Sequence, residues 1–129
     1  MRIIGLGTHI VESLRIAQLI ERHGEVFIQR VFTLEEINYC SGRKAATQHY
    51  AGHWAAKEAT LKALGTNWTR GIAWRDIEVR CDRDNCATVQ LFGDIRERAD
   101  RLGVNQWKVS ISQCRTHATA TVVAIEEKG

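Results

Sequence analysis

Residues 43–64, RKAATQHYAGHWAAKEATLKAL, are the longest patterned stretch of the chain and constrain its fold most. The segment is alanine-rich, and its apolar residues recur at helical spacing. Gly65 supplies the stop, so one long helix is expected here. Shorter elements surround it. Residues 2–6 (RIIGL) read as a strand. From Glu12 to His23 the apolar positions Leu14, Ile16, Ala17, Leu19 and Ile20 predict a helix closed by Gly24. Val26–Arg30 reads as a second, short helix. FTLEEINYC reads as a third, with Thr33 and Glu36 at capping-box spacing.

After the long helix, TNWTRG is a loop. IAWRDIEVR alternates as a strand does, with Ile77 and Val79 on one face and Asp76, Glu78 and Arg80 on the other. ATVQLF is a further strand, and DRDN is the turn between the two. GDIRERADRLG is an amphipathic helix, and WKVSISQ and HATATVVAI are strands joined by CRT. The order β-α-α-β-β-α-β-β is an α+β fold with a mostly antiparallel sheet. The chain has no proline, so its turns rest on Gly, Asn and Asp.

A length of 129 residues, with no linker, repeat or low-complexity segment, points to one domain over 1–129. A chain this short builds one core, and a site shared between subunits follows naturally from that. Its 44% hydrophobic and 26% charged residues are those of an ordinary globular protein. No apolar run approaches the ~18 residues of a membrane span. The first residues do not read as a signal peptide, so a cytoplasmic location is expected. A net charge of +3 does not call for nucleic acid, and it suits an anionic small molecule or an acidic protein partner. Cys40, Cys81, Cys86 and Cys114 form no CxxC pair, which argues against zinc and for free thiols. Cys81 and Cys86 flank the DRDN turn.

On the long helix, Trp54, Lys57, Glu58, Leu61 and Lys62 lie three or four apart and share one side. Glu58 and Lys62 have the orientation that favours an intrahelical ion pair. A solvated ion pair is one reading. The other is a carboxylate for a hard cation with lysines for phosphate. Ser110, Ser112 and His117 alternate on strands and lack a nucleophile elbow. Trp68, Trp74 and Trp107 read as packing residues. Arg96, Glu97, Arg98, Asp100 and Arg101 read as a solvated helix face. His9, in GLGTHIVE, is open as ligand, base or filler.

The stretches GLGTHIVESLRI, RVFTLEEINYC, WAAKEATLKALGT, WRDIEV and VSISQCRTHATATVVA, in this order, carry a resemblance. The chain resembles the small bacterial 4′-phosphopantetheinyl transferases of the holo-[acyl-carrier-protein] synthase kind over nearly its whole length. WAAKEA followed by KALGT is the most specific part. The resemblance implies transfer of the 4′-phosphopantetheine arm of coenzyme A to a serine of an apo acyl carrier protein, in fatty-acid or polyketide biosynthesis, with release of 3′,5′-ADP. It implies a homotrimer with active sites at subunit interfaces. It also implies Mg²⁺, held by Glu58 and by an aspartate in the first segment. Glu58 and Lys62 become the catalytic pair, with Lys62 facing the phosphates. Arg15 and Arg22, two helical turns apart, become carrier-protein contacts. Coenzyme A is assigned Arg43 and Lys44, at its 3′-phosphate, together with His53, Lys62, Gly65 and Gln113.

Three positions depart from the family pattern. His9 stands where the metal-binding aspartate is expected. His53 replaces an arginine before the aromatic of the AAKEA segment, and Gln113 replaces the histidine of SxSH. Neutral imidazole suits Zn, Ni or Cu better than Mg²⁺. The expectation is therefore an enzyme with altered metal dependence, with His9 at the metal site in place of the aspartate. The alternative is an impaired paralogue that binds carrier protein or coenzyme A without efficient transfer.

Overall fold

In this computed structural model, residues 1–69, 71–82 and 87–129 are described. The long helix α4 (Ala46–Ala63) is the organising element. Ala51, Ala55, Ala59 and Ala63 are buried on it, and their small side chains let a sheet approach closely. The first strand, β1 (Arg2–Glu12), meets α4 at Gly5 and Gly7. A Cβ at Gly5 would lie 1.8 Å from the Ala63 carbonyl oxygen, and one at Gly7 would lie 1.9 Å from that of Ala59. The two glycines are thus helix–sheet contact points. They do not break the strand, which runs on through His9 to Glu12 instead of ending at residue 6 as expected.

The remaining elements are α1 (Ser13–His23), α2 (Glu25–Val31), α3 (Leu34–Ser41), β2 (Ile77–Cys81), β3 (Ala87–Leu91), α5 (Gly93–Leu102), β4 (Gln106–Gln113) and β5 (His117–Glu126). The five strands form one antiparallel sheet in the order β1-β5-β4-β3-β2. Four helices therefore separate β1 from β2, where the expected order counted two. Ala118, Ala120, Val122 and Ala124 of β5 are buried on the α4 side. On the opposite side of the sheet, Leu6 and Ile10 stand 64% and 62% exposed, opposite Val123 and Thr119 in register.

Other expectations shift for clear physical reasons. The long helix starts at Ala46, so Arg43 and Lys44 precede it. Trp74–Asp76 form a single 3-10 turn instead of strand, with Asp76 Oδ2 accepting from the Ala73 N–H at 3.0 Å. Glu78 is buried and accepts from Arg80 Nε at 2.7 Å, so it does not face open solvent. Arg98 leaves the solvated face of α5 to donate to the Leu64 and Gly65 carbonyls at 3.0 and 3.3 Å, closing the C-terminus of α4. Among the described residues, Cys40, Cys81 and Cys114 are free thiols. The expected DRDN turn, beyond Asp82, and Cys86 lie outside the described residues.

Lys57 is the largest correction. It does not share a cleft with Glu58 and Lys62, because Lys57 and Leu61 point into the core. Lys57 Nζ donates to Glu36 Oε1 at 2.8 Å, to the Trp74 carbonyl at 3.1 Å and to the Ile77 carbonyl. Glu36 is the capping-box residue of α3. It accepts from the Thr33 N–H at 2.8 Å and from the Val79 N–H at 2.9 Å. Burial opposes ionisation of Glu36, yet the neighbouring His53 imidazole and the Lys57 ammonium hold its carboxyl below the ordinary value of 4.5. One buried ion pair thereby joins α3, α4 and β2.

Candidate active site

Two clusters of polar side chains form along α4. The first lies near its C-terminal end, where β1 passes alongside. Lys62 Nζ donates to the Thr8 carbonyl at 2.9 Å and contacts His9 Nδ1 at 3.1 Å. An ammonium can only donate, so Nδ1 is the acceptor and the neutral ring carries its hydrogen on Nε2. Burial lowers the His9 pKa; Glu58 opposes the shift, and Lys62 and Arg15 reinforce it. His9 is therefore a neutral imidazole at neutral pH.

Glu58 sits one turn before Lys62, half-buried. Its Oε1 accepts from the Trp68 indole N–H at 3.0 Å. Trp68 is itself held by stacking. Its ring centroid is 3.8 Å from that of Trp74, which lies 4.2 Å from that of Trp54 on α4. The aromatic residues read as packing thus also orient the carboxylate. No local signal pointed to this, because Trp68 and Glu58 are ten residues apart across a helix end. The expected Glu58–Lys62 ion pair does not form, since Lys62 reaches across to β1 instead.

His9 opens onto a cavity of about 370 Å³ that Glu12, Leu14, Arg15 and Gln18 also line. Arg15 thus connects the exposed face of α1 to the His9 cleft, while Arg22 lies two turns further along α1, exposed. Thr8, His9 and Lys62 share a second, open cavity.

The other cluster surrounds the middle of α4. A cavity of about 360 Å³ is lined by Tyr39, His49, His53, Cys81, Ser112 and Gln113. The Gln113 amide Nε2 lies 3.0 Å from His49 Nδ1. Burial, Arg43 and His53 together lower the His49 pKa, so its Nδ1 is free to accept from that amide. Arg43 lies over the Tyr39 ring at 3.9 Å. His53 is 2% exposed, with Nδ1 3.5 Å from Glu36 Oε2 and Nε2 3.8 Å from Cys81 Sγ. Arg43, His53 and Gln113 are thus brought together. Lys44 is exposed beside them in sequence. Lys62 belongs to the first cluster, and Gly65 follows it at the helix end, held by Arg98. Nine residues of helix separate His53 from Lys62, roughly 13 Å. His49 and Tyr39 had no assigned role in the sequence, although His49 lies one turn before His53.

Among the described residues, no three His, Cys, Asp or Glu side chains converge as a metal site. Glu58 retains Oε2 for a cation. His9 Nδ1 is engaged by Lys62 at 3.1 Å, so a cation at His9 would have to displace that contact or use Nε2.

The 4′-phosphopantetheinyl transferase superfamily profile matches residues 5–122. The chain belongs to this superfamily. It is 42% identical to the holo-[acyl-carrier-protein] synthase of Rhodopirellula baltica over 95% of its own length and 98% of that protein's. It is 44% identical to that of Ruminiclostridium cellulolyticum, covering 92% of this chain and 89% of the relative. The crystal structure of the Neisseria meningitidis synthase superposes with a TM-score of 0.86 at 28% identity, covering 97% of this chain and all of the other. The Helicobacter pylori synthase, solved in complex with coenzyme A, superposes with a TM-score of 0.81 at 28% identity over 93% and 99% of the two chains. In this phosphopantetheinyl transferase, Glu58 and Lys62 lie one turn apart near the C-terminal end of α4, where β1 passes alongside.

Proposed function

We propose that this chain is a holo-[acyl-carrier-protein] synthase. It transfers the 4′-phosphopantetheine arm of coenzyme A to a serine of apo acyl carrier protein and releases 3′,5′-ADP. The observation that carries the reading is the placement of Glu58 and Lys62 one helical turn apart, beside the Thr8–His9 backbone, at a cleft reached from Arg15. The carrier serine oxygen forms a bond to the phosphorus that bears the pantetheine arm. The bond from that phosphorus to the bridging diphosphate oxygen breaks, and its electron pair leaves with 3′,5′-ADP. Such a transfer needs alignment and charge neutralisation more than covalent help. Lys62 supplies positive charge to the diphosphate. The serine proton leaves to Glu58 or to water that Glu58 orients, so both routes run through this carboxylate.

Mg²⁺ needs few protein ligands when water and substrate phosphates complete its shell. Glu58 is the carboxylate that would hold it here, through its free Oε2, and the ion, when bound, would neutralise charge building on the diphosphate. Arg43, Lys44, His53 and Gln113 receive the 3′-phosphate and adenosine end of coenzyme A, and Gly65 lines the path beside Lys62. Arg15 and Arg22 meet the acidic surface of the carrier protein.

The reading includes one domain over residues 1–129, a cytoplasmic location and a homotrimer with each site at a junction between copies. Support for the trimer comes from the separation of the two clusters on α4 and from the uncovered β1 face, where Ile3 is 61% exposed beside Leu6 and Ile10. No helix among the described residues is long and apolar enough to cross a membrane.

The test is incubation with coenzyme A, an apo acyl carrier protein and Mg²⁺ or Mn²⁺, read by mass spectrometry of the carrier. The mass gain of the arm is expected, and its absence with either ion refutes transfer to that carrier. Arg15→Glu is expected to weaken carrier binding, and unchanged affinity would remove α1 as the docking surface.

A further inference from the structure

The His9 side of the cleft is built from hydrogen-bond donors. Lys62 has three N–H groups. One goes to the Thr8 carbonyl at 2.9 Å and one to His9 Nδ1 at 3.1 Å, leaving one for a ligand. The Nδ1 contact sets the tautomer, so the ring presents an N–H from Nε2. An imidazolium in this position would set N–H against N–H. A carboxylate would present acceptor oxygens and repel an anionic ligand. Thr8, His9 and Lys62 line one open cavity, and Glu58 Oε1 is engaged by the Trp68 indole.

We infer that His9 and Lys62 form a donor pair that grips the diphosphate of coenzyme A directly, so that this chain binds coenzyme A without a divalent cation. The inference rests on the proposed transferase reading, which places that diphosphate beside Lys62. His9 acts here as a binding residue of stated polarity, an N–H donor positioned by Lys62. Hydrogen bonds to an ionised acceptor are the strong ones, and an N–H donor at position 9 in place of a carboxylate lowers the need for a cation to admit a dianion.

The experiment is calorimetric titration of coenzyme A into wild type, His9→Asp and His9→Ala, each in EDTA and in Mg²⁺. Wild type is expected to bind about equally in both. His9→Asp is expected to bind at least about tenfold more weakly in EDTA, with Mg²⁺ restoring the loss, from the exchange of a charge-assisted donor for a like charge. His9→Ala, which adds no charge, is expected to lose several-fold in both conditions. Wild-type binding only with Mg²⁺ overturns the inference and leaves the transferase reading standing. No binding by any of the three in either condition overturns the transferase reading, and the inference with it. His9→Ala binding as tightly as wild type overturns the donor role. Nitrogen-15 NMR of the wild-type histidines supplies a readout independent of any variant: His9 must show the hydrogen on Nε2, and a hydrogen on Nδ1 refutes the pair.

Discussion

Replacing Lys57 with methionine tests whether the buried Lys57–Glu36 pair holds the scaffold under the active site. Methionine keeps most of the volume and removes the charge. Three acceptors then lose their donor: Glu36 Oε1 and the carbonyls of Trp74 and Ile77. Glu36 would keep the Thr33 and Val79 N–H groups but would remain a buried anion without its lysine, with the His53 ring 3.5 Å away. Breaking a buried pair by removing one partner costs about 3–5 kcal/mol. Against a total stability of about 5–15 kcal/mol, that is a large fraction. For a domain of this size, each kcal/mol moves the midpoint by roughly 3–5 °C, so a fall of about 10–20 °C in Tm is expected. The measurement is urea denaturation of wild type, Lys57→Met, Glu36→Gln and the double variant, with the slope compared across all four. The double variant should cost less than the two single losses combined, with a coupling of about 1–3 kcal/mol. A loss for Lys57→Met below about 1 kcal/mol, or additive losses, refutes the view that the pair carries its cost as a unit.

Three further outcomes follow from single contacts. Trp68→Phe keeps the stack on Trp74 and removes the indole donor to Glu58, so kcat/KM should fall by about tenfold or more with little change in Tm, and unchanged kinetics would show that Glu58 is oriented by something else. Gly7→Ala places a Cβ 1.9 Å from the Ala59 carbonyl oxygen, so β1 and α4 must part; the loss should be about 3 kcal/mol or more by thermal denaturation, and a neutral result would refute the close approach. Glu36 is held below its ordinary 4.5, so its stabilisation is fully present above that pH and is lost as pH falls through the lower folded value. Tm should be nearly flat from about pH 7 to about pH 5 and drop below about pH 4.5, with a shallower drop in Glu36→Gln; parallel drops would refute the assignment.

The elements were legible in the sequence where local chemistry decides them. The Thr33–Glu36 capping box, the Gly24 and Gly65 stops and the alternation of the last two strands form as their spacing predicts. The site was half legible for a different reason. The match over residues 5–122 fixes the family, and Glu58 and Lys62 do stand one turn apart on α4. What those two side chains do there depends on partners far away in the chain. Lys57 and Lys62 are both lysines on the same helix, one buried against Glu36 and the other reaching Thr8, 54 residues away. Five residues turn the helix by about 140°, so the two lysines lie on different faces, but spacing alone does not say which face meets the core. His9 is the sharpest case. The two glycines before it alternate with Leu6 and Thr8 along one strand, so Gly5, Gly7 and His9 share the side facing α4. That period-2 pattern was available in GLGTH, but reading the glycines as a break hid it. Once the strand runs through, His9 Nδ1 comes within 3.1 Å of the helix-borne Lys62 ammonium, which can only donate. On the proposed reading, position 9 then offers a donor where a carboxylate would offer acceptors, at the point where a diphosphate would lie.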